Sequence, residues 1–339
     1  MFEVSLLLAV IVATALIFDF TNGAHDCANA IATVVSTKVL TPRMAVGMAA
    51  ILNLLGALLG TEVAQTLGGG IVRPEVVSGS HILVLAALIG AITWNCLTWY
   101  FGIPSSSSHA LIGGLMGAAL AYVGPEALNG ESIIRKVILP LLGSPLAGFA
   151  MGFLLMSLIY FIFRWSNRQL VNRIFQKAQI ASAGFMAVSH GFNDAQKTMG
   201  VITLALFIFG EIDTIAVPLW VKLVCALVMG AGTAVGGWRI IKTMGHKICK
   251  LEPVHGFAAE TSASVVICSA SLIGAPISTT HTITACIFGV GSTRRLSAVH
   301  WGVAGNLIIA WLVTIPASAT VSALSFLLLK SVLGGASGQ

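Results

Sequence analysis

Apolar runs of about twenty residues recur from one end of this chain to the other, and few charges interrupt them. Only 9% of the residues are charged and 57% are hydrophobic, whereas soluble domains average about 25% charged. No water-facing surface can be built from so few charges. In hydrocarbon the backbone must satisfy its own hydrogen bonds, and for runs of this length that means helices. The chain therefore reads as an all-α polytopic membrane protein of about 10–12 membrane segments, some of them re-entrant or broken. The first run, 4–18, has no basic leader and continues into a polar motif, so it reads as mature structure and not as a signal peptide. Six cysteines lie scattered without a CxxC pair and read as free thiols; no disulfide framework or zinc site is expected.

Lys and Arg set the orientation. The net charge is +6, and in a membrane protein a basic excess marks the cytoplasmic loops; it does not indicate a nucleic-acid partner. Glu3 precedes the first run, and Lys38 and Arg43 follow it. Spans at 44–61, 82–101, 104–122 and 138–163, the first two joined by a loop of mixed charge (Glu62, Arg73, Glu75), then lead to Arg164, Arg168, Arg173 and Lys177. Further spans at 180–210, 215–237, 256–274, 276–291 and 297–329 follow, the last expected to break near Pro316. All basic clusters fall on one side if both termini lie outside. The first repeat is then 1–163, the second 180–339, and 164–179 is a basic cytoplasmic connector. The segment 238–251 alternates apolar and basic residues and reads as a helix on the cytoplasmic membrane surface. A regulatory partner there, and a homodimer, are compatible with the pattern.

Each half carries the same two motifs. Pro104-Ser105-Ser106-Ser107-Ser108-His109 matches Pro276-Ile277-Ser278-Thr279-Thr280-His281. Upstream of each lies an acid in apolar sequence: Asp26, within Asn22-Gly23-Ala24-His25-Asp26-Cys27-Ala28-Asn29, and Asp194, within His190-Gly191-Phe192-Asn193-Asp194-Ala195-Gln196-Lys197. The first half starts outside and the second inside, which is the mark of an inverted-topology repeat with its site at the repeat interface. A proline can open a helix, leaving free N–H groups at its positive end. Such an end binds anions, and Ser106, Ser107, Ser278 and Thr279 add hydroxyl donors. The alternative use of such hydroxyls is bonding to helix backbone.

A carboxylate in mid-membrane costs about 2.5–3.5 kcal/mol on insertion scales, so it faces a partner or a cavity. Two acids beside an anion site make sense if cations or protons sit between them. Asn22, Asn29 and Asn193 offer amide oxygens for such a cation, and Gly23 and Gly191 would permit local unwinding. His25 and His190 adjoin the acids and suit proton coupling; His109, His281 and Glu260 are further relay candidates. Each negative charge brought into a negative interior costs about 2.3 kcal/mol per 100 mV. An oxyanion therefore needs cation coupling to accumulate, so a symporter is favoured over a passive anion channel. No nucleophile setting for a hydrolase is present.

These motifs resemble those of the PiT inorganic phosphate transporter family, and the resemblance covers nearly the whole chain. It implies inverted repeats with inorganic phosphate between them, in a multi-pass protein of the plasma membrane. It implies phosphate contacts at Ser106, Ser107, Ser278, Thr279 and Thr280, with Ser108 completing the set. Cation ligands would fall on Asp26, Asn29 and Asp194. Sodium-coupled members typically read Gly-Ala-Asn-Asp-x-x-Asn in both halves. Here His25 replaces the first Asn, and Lys197 stands where the last would be. Co-transported H+ is therefore expected in place of Na+, as in the low-affinity bacterial branch, where a metal–phosphate complex is a further cargo. No bound cofactor is expected. A sulfate permease of the same superfamily is the alternative.

Overall fold

The computed structural model describes residues 2–78 and 80–334. It is all-helical; the β structure among these residues is one bridge between Val72 and Leu128. In chain order the helices are α1 (Phe2–Ser36), α2 (Pro42–Ala57), α3 (Glu62–Gly70), α4 (Pro74–Val77), α5 (Leu83–Phe101), α6 (Ser107–Tyr122) and α7 (Gly130–Ile133). They continue with α8 (Leu139–Ile162), α9 (Arg168–Ile208), α10 (Leu219–Val235), α11 (Trp238–Lys242), α12 (Pro253–Leu272), α13 (Thr279–Ser292) and α14 (Trp301–Gly334).

Leu6–Ser36, Leu83–Phe101, Gly130–Ile162 and Trp301–Val332 are each long and apolar enough to cross a membrane. Two bent pairs add to them: α2 with α3 at 69°, and α10 with Trp238–Lys247 at 60°. The segments that carry the polar motifs are the most buried, whether their helix passes this test, as α1 does, or not, as α6, α9 and α13 do not. Ser189–Leu206 of α9 and Asn22–Val34 of α1 are covered on every side, and so is all of α13. They form the middle of the bundle. Around them, α8 and α14 are exposed over most of their surface and bury a narrow stripe in which small residues (Ser144, Gly148, Gly152; Ala304, Ser318, Ser322) are interspersed with larger ones.

Those stripes explain the close packing. An added Cβ on Gly148 or Gly152 of α8 would lie 2.8 or 2.6 Å from a carbonyl oxygen of α13, and one on Gly289 would lie 2.2 Å from Phe149 O. On the other side, a Cβ on Gly117 of α6 would lie 2.1 Å from Ala319 O of α14. Within a bilayer, dispersion at such distances does what hydrophobic burial does in water. The last helix of each half thus packs on a helix of the other half, α8 on α13 and α14 on α6.

Two large apolar clusters and one small one fill the interior. One large cluster takes Cys27–Val34 of α1 with parts of α8, α9, α12 and α13; the other takes Ile11, Ala15 and Phe18 with α5, α6, α10 and the later turns of α9. Between these two, at residues 19–26 of α1 and 189–194 of α9, the buried side chains are mostly polar, with Ala24 and Phe192 the exceptions.

Four local expectations are corrected. α1 and α9 run unbroken through their motifs. Gly23 and Gly191 are sites of close approach, where a Cβ would meet Met229 O at 2.6 Å and Asn53 O at 2.1 Å, and they do not unwind the helix. α14 is continuous through Pro316, held by its packing on α5 and α6. The segment after Gly237 does not present most of its apolar side chains outward, as a helix resting on lipid would. Its apolar residues Ile240, Ile241, Met244 and Ile248 pack into the protein core. The stretch 62–78, which reads as a charged loop, folds as α3 and α4; Val63, Leu67 and Ile71 bury against Ile112, Ile133 and Val137.

Candidate functional site

The two Pro-containing motifs form one structure twice. α5 ends on Gly102 (φ 65) and α12 is followed by Gly274 (φ 69), a left-handed conformation that glycine adopts without strain. Ile103 N donates to Thr98 O and Ala275 N to Ala270 O. Ser105 N then donates to Ile103 O, and Ile277 N to Ala275 O, closing a tight turn at each proline. The new helices begin three residues past the prolines. Ser106 caps α6 by accepting from His109 N at 3.2 Å, and Ser278 caps α13 by accepting from His281 N at 3.1 Å. The exposed N–H groups therefore follow the serine caps and not the prolines directly.

These two N-termini converge. Ser108 Oγ donates to Ile277 O at 3.2 Å, and the His109 and His281 rings lie 4.9 Å apart. Each N-terminal hydroxyl also meets the acid of its own half. Ser107 donates to Asp26 Oδ2 at 2.7 Å, and Thr279 to Asp194 Oδ2 at 3.4 Å. Cross-links join the halves: Thr280 donates to Asp26 Oδ1 at 3.5 Å, and Asn29 donates to Thr279 at 3.2 Å and Thr280 at 2.9 Å. Hydroxyls, acids and Asn29 are all at most 2% exposed, so the cluster is closed to solvent.

Basic side chains complete it. His25 Nδ1 lies 2.6 Å from Asp26 Oδ1, and its Nε2 lies 3.2 Å from Thr98 Oγ1. Lys197 Nζ donates to Asp194 Oδ1 at 2.5 Å, one turn along α9. His190 Nε2 stands 3.4 Å from Asp194 Oδ2, and its Nδ1 is 3.0 Å from Asn53 Oδ1. Ligand atoms of Asp26, His190 and Asp194 lie within 4.8 Å of one another, close enough for one cation. The side-chain oxygens of Asn22, Asn29 and Asn193 are buried without a hydrogen-bond partner, which also suits a small hard cation. Both carboxylates, however, already face a basic group.

Other expected residues lie outside this cluster. Glu260, on α12, is buried beside the C-terminal part of α1, accepting from Thr33 at 2.5 Å, from Gln179 at 3.1 Å and from Ser182. Asn193 is turned towards α12 and donates to Ser271 at 2.8 Å. His281 stacks on Trp311 at 4.0 Å, and Trp311 Nε1 donates to Pro104 O at 3.1 Å. A cavity of about 490 Å³ beside Lys250, His255, Arg294 and Arg295 shares no residue with the cluster.

Sequence reasoning missed Asp19, Asn53, Thr98, Trp311 and the donors around Glu260. Asp19 closes the first apolar run and so looks like a membrane boundary. Its signal is the seven-residue step to Asp26, which returns to the same helix face. The others are single polar residues without a local pattern.

The profile of the phosphate transporter family matches residues 22–322. A "Probable low-affinity inorganic phosphate transporter" of Bacillus subtilis (strain 168) is 47% identical over 96% of this chain and 98% of its own length. A protein of the same description from Rhizobium meliloti (strain 1021) is 48% identical over 94% and 96%. A solved structure titled "The sodium-dependent phosphate transporter" superposes with a TM-score of 0.88 at 26% identity, covering 96% of this chain and 99% of that one.

Proposed function

The chain belongs to the phosphate transporter family, and from that premise we propose that it imports inorganic phosphate across the plasma membrane as a proton-driven symporter. The observation that carries the reading is the convergence of two capped helix N-termini on one buried cluster, with an acid beside each. Phosphate is a tetrahedral oxyanion, and amide and hydroxyl donors arriving from two directions suit its several oxygens. Ser107, Thr279 and Thr280 are its first contacts. Ser106 and Ser278 hold the two helix ends in shape, and Ser108 ties one end to the other.

Protons drive the cycle in this reading. Asp194 is matched by the fixed ammonium of Lys197, so it needs no mobile metal cation. Asp26 is matched by His25, whose charge depends on a proton. Loading a proton with the anion lowers the cost of moving net negative charge inward, about 2.3 kcal/mol per charge per 100 mV. The residues 1–163 and 180–339 act as inverted repeats about this cluster, with both termini external. A neutral metal–phosphate complex is a cargo the same cluster would accept.

Labelled phosphate uptake into proteoliposomes tests this. Accumulation under an inward proton gradient, collapse with a protonophore, and indifference to excess sulfate are expected. Asp26→Asn and Asp194→Asn each abolish accumulation while membrane insertion is retained. Normal uptake by either variant removes the coupling role, and uptake that needs sodium replaces the driver.

A further inference from the structure

Among the described residues, four carboxylates are fully or almost fully buried: Asp19, Asp26, Asp194 and Glu260. Three are well supplied with donors. Asp19 is the exception. Its Oδ1 accepts one hydrogen bond, from Thr198 at 2.8 Å, and its Oδ2 has no partner. It follows Phe18 on α1, in the apolar cluster where α1 packs against Met199 and Ile202 of α9 and Cys225 and Met229 of α10. The ionisable groups acting on it are Asp194 and Lys197 from α9 and Cys225 from α10. A bare carboxylate with one neutral donor is costly in such a setting, and a carboxylic acid is far less so. Thr198, its donor, stands one residue beyond Lys197 and one turn beyond Asp194.

Asp19, Asp26 and Thr33 recur at every seventh residue of α1, so they lie along nearly one face, about 10 Å apart. Thr33 is the residue that donates to Glu260. The buried acids are thus spaced along the helix from its N-terminal side to its C-terminal side, with the central cluster between.

We propose that Asp19 is a proton-binding site of this transporter, loaded from the N-terminal side of α1 and discharging towards the Asp194–Lys197 pair. The inference rests on the proton-driven reading above. Binding forms one O–H bond on Oδ2 and cancels one negative charge; release restores the carboxylate. Asp19 touches no phosphate in this scheme and acts on coupling alone.

The test uses the full chain in proteoliposomes, with two measurements on each variant: phosphate accumulation driven by a pH gradient, and phosphate–phosphate exchange at equal pH. Asp19→Asn is expected to lower the ratio of accumulation to exchange at least tenfold, and Asp19→Glu to recover most of it. Thr198→Val removes a donor to the carboxylate and so strengthens proton binding; the pH of half-maximal uptake moves upward by about half a unit or more. This variant decides the matter if Asp19→Asn does not reconstitute. A wild-type ratio in Asp19→Asn, equal loss of both activities in the Asn and Glu variants, or an unmoved profile in Thr198→Val overturns the proposal while the proton-driven reading stands. Wild-type accumulation under sodium but not proton gradients overturns both.

Discussion

Asn29 and Lys197 stand at matching places, three residues past Asp26 and Asp194, and they do opposite things. Asn29 reaches across to Thr279 and Thr280 and ties the halves together. Lys197 turns back on its own helix and holds Asp194 at 2.5 Å, with no exposure to solvent. A buried ammonium without a counter-charge is strongly unfavourable, so this pair stands or falls as a unit. Lys197→Asn should free Asp194 for a mobile cation: sodium-free uptake falls about tenfold, a change of about 1.4 kcal/mol, and added sodium restores it. Sodium-independent uptake at the normal rate would sink the idea. The neighbouring hydroxyls separate by role. Ser107→Ala and Thr279→Ala remove donors aimed into the cluster and are expected to raise the apparent KM for phosphate several-fold. Ser106→Ala and Ser278→Ala remove helix caps and cost about 1 kcal/mol of stability, seen as a lower Tm. An unchanged KM in both Ser107→Ala and Thr279→Ala places the anion elsewhere.

Helices come next in scale, and their ends and contact stripes were legible to different degrees. The ends of α5, α6, α12 and α13 follow from Gly102, Gly274 and the two serine caps, all local chemistry. The unbroken course of α1 and α9 does not, because Gly23 and Gly191 are used for contact with α10 and α2 and not for flexibility. The same holds for α14 and Pro316. Contact glycines give a sharp comparison. Gly117→Ala would push a Cβ to 2.1 Å from Ala319 O, whereas Gly302→Ala meets nothing within 4 Å. Gly117→Ala should lower the Tm of detergent-solubilised protein by several degrees and Gly302→Ala should leave it within about one degree, the fall corresponding to overpacking costs of about 1–3 kcal/mol. Equal Tm values for both variants would mean that α6 and α14 are not held at this separation.

At the scale of the molecule the two halves are interleaved. α8 leaves the first half to pack on α13, and α14 leaves the second to pack on α6. α6 and α13, whose N-termini meet at the central cluster, are thus each braced by a helix of the other half. The proposed orientation is checked by labelling. With the native cysteines replaced, Glu131→Cys should react with an impermeant maleimide from outside and Ser166→Cys from the cytoplasm only; both positions are exposed. Labelling of both from one side would refute the assignment of sides by Lys and Arg.

The sequence alone determined the class and the parts. Scarce charge forces helices in lipid, and two repeats of one motif point to one site, because period and composition are local properties that survive without coordinates. It also singled out Asp26, Asp194 and the hydroxyl runs. Tertiary structure decided what those parts touch. Asp19 reads as a membrane boundary until α1 is seen to run 17 residues further, to Ser36. Whether a glycine unwinds a helix or admits a neighbour depends on the second helix, and which hydroxyl caps, which ties and which faces the acid depends on crossing angles that no single stretch of sequence contains.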